Sequence, residues 1–340
     1  MNKLLLIGCV FTLMVSCNTS VKYEAPIFEM VQPKEIRILN DDYMFQYAGN
    51  PMLMDSLLIV STFNDENHIA IFNIYSGELV KEFGHRGEGP TELTMPTAFS
   101  LDRKNGYLYV CDHGKQSMLR YDLYLLLNED YDEYLSFRLS DSFARTGMLR
   151  HLKDSLFYAP AHQEGRILIG TPSDVKSVVK SRTPDAEKFP SDVDWYNYMN
   201  IESVSAVSPD GRYFVSGSAM GGILEIFDLT SDSKDRIILK HFYEPIFEQK
   251  GYVYRPISET IGGFTHIAAT DKFFYATIHG IANPYSMPTS ICKFDWNGNP
   301  IEKYECGYPI TGFTIDEIEQ TIYAVVVTEE GEQALASITL

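Results

Sequence analysis

One glycine-rich segment, Gly84–Leu93, carries the charged side chains best suited to bind a ligand. Three glycines and a proline in so short a stretch predict a tight turn without strand structure. No apolar neighbour is available to bury His85, Arg86 and Glu88, so we expect these side chains to face a binding site. Arg86 is the best anchor for a carboxylate, because its planar guanidinium donates two parallel hydrogen bonds. The alternative is that Arg86 pairs with a glutamate of its own turn.

Aromatic side chains form a second candidate group, in long segments without strand patterning. These segments are 84–95, 181–203, 244–263 and 280–289, and they include Trp195, Tyr196, Tyr198, Tyr252, Tyr254, Arg255 and Tyr285. Of these we select Trp195, Tyr196, Tyr254 and Arg255 as ligand-binding candidates. Aromatic platforms with a few cations suit a sugar ring or a peptide. The alternative is that the long loops pack their own aromatic residues.

The sequence lacks the usual catalytic signatures. It contains no Gly-x-Ser-x-Gly elbow, no His-Glu-x-x-His pair and no phosphate-binding P-loop. Its formal net charge of −18 would repel a phosphate backbone, so nucleic acid is not an expected partner. No catalytic residue and no cofactor is assigned, although a structural or axial calcium ion remains compatible with the sequence.

The sequence contains six repeats, and the strands and turns of these repeats position the candidate residues. Each repeat has a turn followed by a strand, and the turns begin at Asp55, Asn105, Asp154, Asp210, Asp271 and Glu319. Four repeats end a later strand on an aromatic residue followed by Asp or Asn, at Phe72-Asn73, Tyr121-Asp122, Phe227-Asp228 and Phe294-Asp295. The spacings are 50, 49, 56, 61 and 48 residues, and a period near fifty predicts a β-propeller. We therefore predict an all-β protein of six blades, each with four antiparallel strands.

The two ends of the chain together predict how the ring of blades closes. The sixth repeat stops after its third strand at Leu340, while the β-like segment Glu35–Leu39 belongs to no repeat. A ring of blades must close without an open strand edge. We predict that this N-terminal strand completes blade six and that residues 34–340 form the propeller.

Three histidines, His113, His162 and His279, occupy equivalent positions in their repeats. Zinc would need ligands at about 2 Å, whereas opposite blades hold such positions roughly 20 Å apart. We interpret these histidines as partners of loop hydrogen bonds. A metal site with one ligand from each blade would leave no local sequence motif, so the sequence does not exclude such a site.

The N-terminus reads as a targeting signal. One lysine precedes the apolar run Leu4–Val15, which is too short to span a bilayer. We predict that residues 1–16 are a lipoprotein signal peptide, that Cys17 is lipidated, and that residues 17–33 are a tether. An ordinary signal peptide with an incidental cysteine is the alternative. The remaining Cys111, Cys292 and Cys306 are odd in number, so no disulfide framework is expected.

The segment Gly84–Leu93, followed by Tyr109-Val110-Cys111-Asp112 and Leu119-Arg120-Tyr121-Asp122, resembles the six-bladed TolB-like or NHL-like propeller lipoproteins of Bacteroidales-type bacteria. In their usual motif the turn ends in Gly-Glu-Phe, where this chain has Thr91, Glu92 and Leu93. The resemblance implies a lipoprotein of a Gram-negative cell envelope, anchored to the outer membrane.

Two functions remain open at this stage. The first is a binding or interaction module, with a glycan, a peptide or an envelope protein bound on the face of the inter-blade loops. The second is a hydrolase or lyase that uses a metal in the axial channel. The absence of catalytic motifs favours the first function.

Overall fold

A computed structural model shows six four-stranded antiparallel blades arranged in a ring. It describes residues 22–64, 66–128, 133–161, 165–179, 198–199, 203–231, 236–251, 253–282 and 286–340. The predicted fold class is confirmed. Cys17 and the signal segment lie outside the described residues.

The strands are numbered in chain order. Two precede the first blade, β1 (Met30–Pro33) and β2 (Ile36–Asn40). Blade one has β3 (Gly49–Met54), β4 (Leu57–Ser61), β5 (Asn67–Asn73) and β6 (Leu79–His85). Blade two has β7 (Pro96–Asp102), β8 (Tyr107–Asp112), β9 (Ser117–Asp122), the short helix α1 (Leu123–Leu126) and β10 (Leu135–Arg138). A second short helix, α2 (Asp141–Thr146), leads into blade three, which has β11 (Arg150–Lys153), β12 (Leu156–Pro160), β13 (Ile167–Thr171) and β14 (Asp174–Val179).

The second half of the ring follows the same order. Blade four has β15 (Ser203–Val207), β16 (Tyr213–Ser218), β17 (Ile223–Asp228) and β18 (Arg236–His241). A separate hairpin, β19 (Glu248–Lys250) and β20 (Val253–Arg255), precedes blade five. Blade five has β21 (Phe264–Ala269), β22 (Phe273–Ile278), β23 (Ser290–Asp295) and β24 (Pro300–Glu305). Blade six has β25 (Ile310–Asp316), β26 (Thr321–Val327), β27 (Gln333–Thr339) and, as its fourth strand, β2.

The N-terminal strand closes the ring as predicted. Strand β2 pairs antiparallel with β27, with Ile36 opposite Ile338. The described residues just before it do more than tether the chain, which the sequence did not lead us to expect. Strand β1 adds a fifth, parallel strand to blade five, and the Phe28 ring packs edge-on at 5.6 Å against Phe294. We call Tyr23–Pro33 the N-terminal belt, because its other end reaches blade four, where the Glu24 N–H donates to the His241 carbonyl at 3.0 Å.

Among the described residues the hydrophobic core has seven clusters, six of which lie between two neighbouring blades. The seventh, the loop cluster, consists of Tyr198, Met199, Met220, Ile223 and Tyr254. The aromatic residues that end the third strands supply much of the core between blades, as the sequence predicted: Phe72, Tyr121, Phe227 and Phe294 are at most 1% exposed. The acidic or amide residue after each one begins a turn. The Asp122 carboxylate, for example, accepts hydrogen bonds from the N–H groups of Tyr124 and Leu125 and so caps α1.

Tight hairpins connect the first and second strands of the blades. In five blades one turn residue has a left-handed backbone, with φ between 48° and 73°: Asp55, Gly106, Asp154, Gly211 and Gln320. Glycine and short polar side chains tolerate this conformation best, which explains the Asp and Asn-Gly signals in the repeats. These hairpins fix where the inner strands end, and so they shape one mouth of the axial channel.

A buried ion pair joins blades three and four. Arg166 Nε donates to Glu225 Oε2 at 2.7 Å, and both side chains are at most 4% exposed. The same guanidinium donates to Ser216 Oγ at 2.6 Å and to the Met199 carbonyl at 2.7 Å. Because these partners supply hydrogen bonds as well as an opposite charge, the desolvation of the pair is compensated.

Candidate binding site in the axial channel

The ring has two faces. The hairpin face carries the turns between first and second strands, and the loop face carries the connections between blades. A cavity of about 510 Å³ opens on the hairpin face at the axis and is lined mainly by blades two, three and four, with Met52, Ala269 and Thr314 from the other blades. A smaller cavity of about 180 Å³ continues along the axis beside blades five and six. The sequence had pointed to the loop face instead.

Basic side chains are concentrated in the larger cavity. Its lining contains Arg103, Lys104, Arg150 and Lys153, in a chain whose net charge is −18. None of the ion pairs between described residues involves Arg103 or Arg150. The cavity is therefore a local exception to the acidic character of the protein.

Two of the carboxylates that line the cavity accept hydrogen bonds from residues of their own hairpin turns. Asp102 accepts hydrogen bonds from Asn105, at 3.2 Å from its backbone N and 2.7 Å from Nδ2. Asp210 accepts from the N–H of Arg212 at 2.9 Å. These two carboxylates hold the shape of the hairpins, and the third carboxylate of the lining, Asp154, is exposed.

Arg103 belongs to the hairpin of blade two and lines both cavities. Burial lowers the pKa of its guanidinium, and the negative charges of Asp316 and Asp271 on blades six and five act in the opposite direction. Its side chain nevertheless remains accessible to solvent. Arg103 is thus a cation at the channel mouth, within reach of charges across the axis.

Arg150 lies on the inner strand of blade three, beside the buried Tyr158. Burial raises the pKa of the Tyr158 phenol, and the charge and hydrogen bond of Arg150 oppose that shift. The neighbouring His151 stacks on Tyr109, with ring centroids 5.1 Å apart, and its Nε2 lies 3.0 Å from the Asp154 carbonyl. This packing holds the inner strand of blade three at a defined position beside the cavity.

The predicted residues of the Gly84–Leu93 turn lie on the loop face. His85, Arg86 and Glu88 are exposed, and none of them lines either axial cavity. The backbone N–H of Arg86 donates to the Glu66 carbonyl at 2.8 Å. No ion pair between described residues joins Arg86 to a glutamate of the turn, so the proposed stiffening pair is not seen. The turn is instead fixed by the fully buried side chain of Leu93.

The aromatic candidates divide into three groups. Trp195 and Tyr196, with Tyr252 and Tyr285, lie outside the described residues. Tyr254 is only 5% exposed and packs edge-on against Tyr198 and Phe247, so it is a core residue of the loop cluster. Arg255 is exposed on β20.

Histidines and cysteines of the described chain fill packing roles. The predicted loop hydrogen bond is present at His279, whose Nε2 contacts the Ser286 carbonyl, whereas the buried Nδ1 of His113 has no hydrogen-bond partner among the described residues. His162 lies outside the described residues. Cys111, Cys292 and Cys306 are buried free thiols, and burial raises the pKa of Cys292 to about 12.

A metal-dependent enzyme would need a cluster of ligands. Among the residues that the structure describes, no group of three or more His, Cys, Asp or Glu side chains is arranged to hold a metal ion. Likewise, none of the described helices is long and apolar enough to cross a membrane.

Comparison with known proteins decides the family. The family model "TolB-like 6-blade propeller-like" matches residues 28–318, which is most of the chain. The chain belongs to this TolB-like propeller family. No curated protein matches its sequence.

Solved structures share the fold of this TolB-like propeller at low identity. A member of the DUF4221 family from Bacteroides vulgatus is similar with a TM-score of 0.58 and 10% identity, over 91% of this chain and 96% of that one. A protein described as exported, from Bacteroides fragilis, has a TM-score of 0.54 and 14% identity over 92% and 98% of the two chains. A gluconolactonase from Xanthomonas campestris has a TM-score of 0.50 and 12% identity over 90% and 89%. At these identities the likeness concerns the fold alone.

Proposed function

We propose that this TolB-like propeller is a binding module of the cell envelope whose ligand carries a carboxylate held in the axial cavity. One observation carries the proposal: Arg103 and Arg150 share a cavity of about 510 Å³, and no ion pair between described residues engages either of them. The ligand is a glycan or a peptide with an acidic group.

Charge explains why the cavity would select an anion. A guanidinium inside a channel loses part of its hydration and gains most from a bidentate carboxylate partner. The channel walls reduce screening by solvent, which strengthens the interaction relative to the open surface. The acidic remainder of the protein repels anions elsewhere, so the cavity would be the preferred place for one.

The envelope location rests on the N-terminus and on a relative. The short apolar run before Cys17 predicts export and lipidation, and a protein of the same fold from Bacteroides fragilis is described as exported. We propose that Cys17 carries the lipid and that the propeller is held at the outer membrane. Because the N-terminal belt pairs with blades four and five, only residues 18–22 separate Cys17 from the belt.

The test compares arginines on the two faces. The purified protein is titrated by calorimetry with arrays of acidic and neutral oligosaccharides and of peptides with free carboxyl termini, followed by single ligands. Arg103→Gln should weaken the binding of an acidic ligand about tenfold or more, since one charged hydrogen-bonding partner is lost. Arg86→Gln and Arg255→Gln, which remove the exposed cations predicted as loop-face sites, should leave the affinity unchanged.

The opposite result would overturn the proposal. If Arg86→Gln or Arg255→Gln abolishes binding and Arg103→Gln does not, the ligand binds on the loop face. If every bound ligand is neutral, the carboxylate is not what the protein recognises.

A further inference from the structure

A second cavity, of about 580 Å³, lies between blades two and three. It meets the axial cavity at Asp102, Asn105 and Asp154, which line both. We propose that this inter-blade groove is a second subsite that binds a sugar ring, so that the ligand is an acidic oligosaccharide whose uronate enters the axial cavity. The inference rests on the proposed function and narrows its ligand class.

The wall of the groove is aromatic. The Arg120 guanidinium lies 4.3 Å from the Tyr107 ring centroid and 5.9 Å from that of Phe137. Phe137 belongs to β10, whose four residues are all exposed, and its own side chain is 38% exposed. An exposed aromatic ring beside a cavity can cover the C–H face of a pyranose, which is the apolar surface of a sugar.

The polar groups of the groove fit the other surface of the sugar. The Arg120 guanidinium lies beside the Tyr107 and Phe137 rings and supplies hydrogen-bond donors to the groove. The Asp154 side chain is exposed at the junction with the axial cavity and takes part in no ion pair between described residues. A donor and an acceptor next to an aromatic face are what the hydroxyl-bearing edge of a sugar requires.

The geometry favours a sugar over an extended peptide. The register places Arg120 opposite Tyr109, so the blade-two wall of the groove is formed by the side chains of one sheet face. A peptide that adds a strand would need the open backbone of a sheet edge. The groove instead offers aromatic rings and charged side chains. Because the groove is continuous with the axial cavity, one ligand can reach both subsites.

The two subsites can be separated by substitution. An acidic oligosaccharide that binds on the array is titrated together with its acidic monosaccharide, on the unmodified protein and on Phe137→Ala. The loss of one stacking ring should weaken the oligosaccharide about tenfold and leave the monosaccharide unchanged. Tyr75→Ala is the matched control, because it removes another exposed aromatic ring, 66% exposed, that does not line the groove.

The outcomes distinguish this inference from the proposed function. If Arg103→Gln weakens both ligands and Phe137→Ala weakens neither, the axial carboxylate site stands and the groove subsite is overturned. If Phe137→Ala weakens the oligosaccharide and Arg103→Gln has no effect, the axial proposal fails instead. Binding of peptides alone, with no acidic oligosaccharide bound, overturns the sugar assignment.

Discussion

Glu92 folds back over its own turn, and its Oε2 accepts a hydrogen bond from the Gly89 N–H at 2.6 Å. The carboxylate therefore occupies the space beside the backbone of two glycines. A Cβ at Gly87 would lie 2.0 Å from Glu92 Oε2, and a Cβ at Gly89 would lie 2.8 Å from it. Glycines in a tight turn often adopt a positive φ, but only Gly84 in this turn has one, at 73°. Gly87 and Gly89 instead leave room for the Glu92 carboxylate, which lies too close to their backbone for a Cβ.

We predict that Gly87→Ala lowers the free energy of unfolding by about 1–3 kcal/mol, the range for a lost hydrogen bond to a charged group. The new methyl group would force the Glu92 carboxylate away from the Gly89 N–H. Urea denaturation measures the effect. In a Glu92→Ala background the same substitution should cost much less, because the obstacle is gone.

Gly84→Ala serves as the control for that cycle. Its cost arises from the left-handed backbone and from Leu93 Cδ1, 2.7 Å from the new Cβ, so it should be the same with or without Glu92. Equal costs for Gly87→Ala in both backgrounds would show that the carboxylate is not the constraint.

The N-terminal belt should contribute to stability. Deleting residues 18–22 should leave the melting temperature unchanged, whereas deleting 18–33 removes β1 and the Phe28 contact and should lower it. Deleting 18–39 also removes the closing strand of blade six and should lower it further and promote aggregation. Calorimetry of the three truncations gives the order.

A single substitution can test the same contact. Phe28→Ala should cost about 2 kcal/mol, less than the full loss of a core phenylalanine, because this ring is only partly buried. The adjacent Ile27→Ala is the matched control, since Ile27 is 85% exposed. Equal stability of the two variants would place the belt outside the folded unit.

Stability should depend on pH through His266. This residue lines the smaller axial cavity, its Nε2 lies 2.8 Å from the Phe313 carbonyl, and burial lowers its pKa from 6.5 to about 4. Between these two values the unfolded chain binds a proton at this side chain and the folded protein does not. Stability should therefore be complete above about pH 6.5 and fall as the pH drops toward 4, by at most about 3 kcal/mol from this group.

Urea denaturation at a series of pH values tests this expectation. In His266→Gln, whose amide can still donate to the Phe313 carbonyl, the decrease between pH 6.5 and 4 should be smaller by the same amount. If the two pH profiles run parallel, His266 does not titrate in this window.

Lipidation of Cys17 has a direct test. Cys17→Ser should move the protein from the membrane fraction to the soluble fraction and abolish the added mass of a lipid in mass spectrometry. Substitution of Cys111, which is fully buried, should alter stability without changing the fraction in which the protein is found. Retention of Cys17→Ser in membranes would contradict the lipoprotein prediction.

The blade strands were predictable because their signals are local. Turn residues such as Asp55 and Gly106 mark the hairpins, and rings such as Phe72 and Phe294 mark the strands that pack between blades. The position of the fourth strand of blade three, β14, was not predicted, because its repeat lacks the aromatic and acidic pair. The belt was missed for a similar reason: its parallel pairing with β24 leaves no periodic pattern in so short a segment.

The candidate site was harder to predict, because its residues come from different blades. Arg103 and Arg150 are 47 positions apart and line one cavity only when blades two and three pack side by side. Loop length and glycine content drew attention to the opposite face, where His85 and Arg86 are exposed but line no axial cavity. The sequence did contain a signal for this site. Basic residues occur in the inner strand or the following hairpin of two consecutive repeats, although the chain as a whole is acidic.

The pairing of Ile36 with Ile338 joins positions 302 residues apart in sequence. As the chain is synthesised, β2 emerges before any of the blades and finds its partner only after β27 has been made. Contacts between residues so distant in sequence form slowly, because most of the chain must lose conformational entropy before such a contact stabilises the fold. Until then both strands expose unpaired edges, so the interval before closure is when the protein is most open to aggregation and most dependent on chaperones.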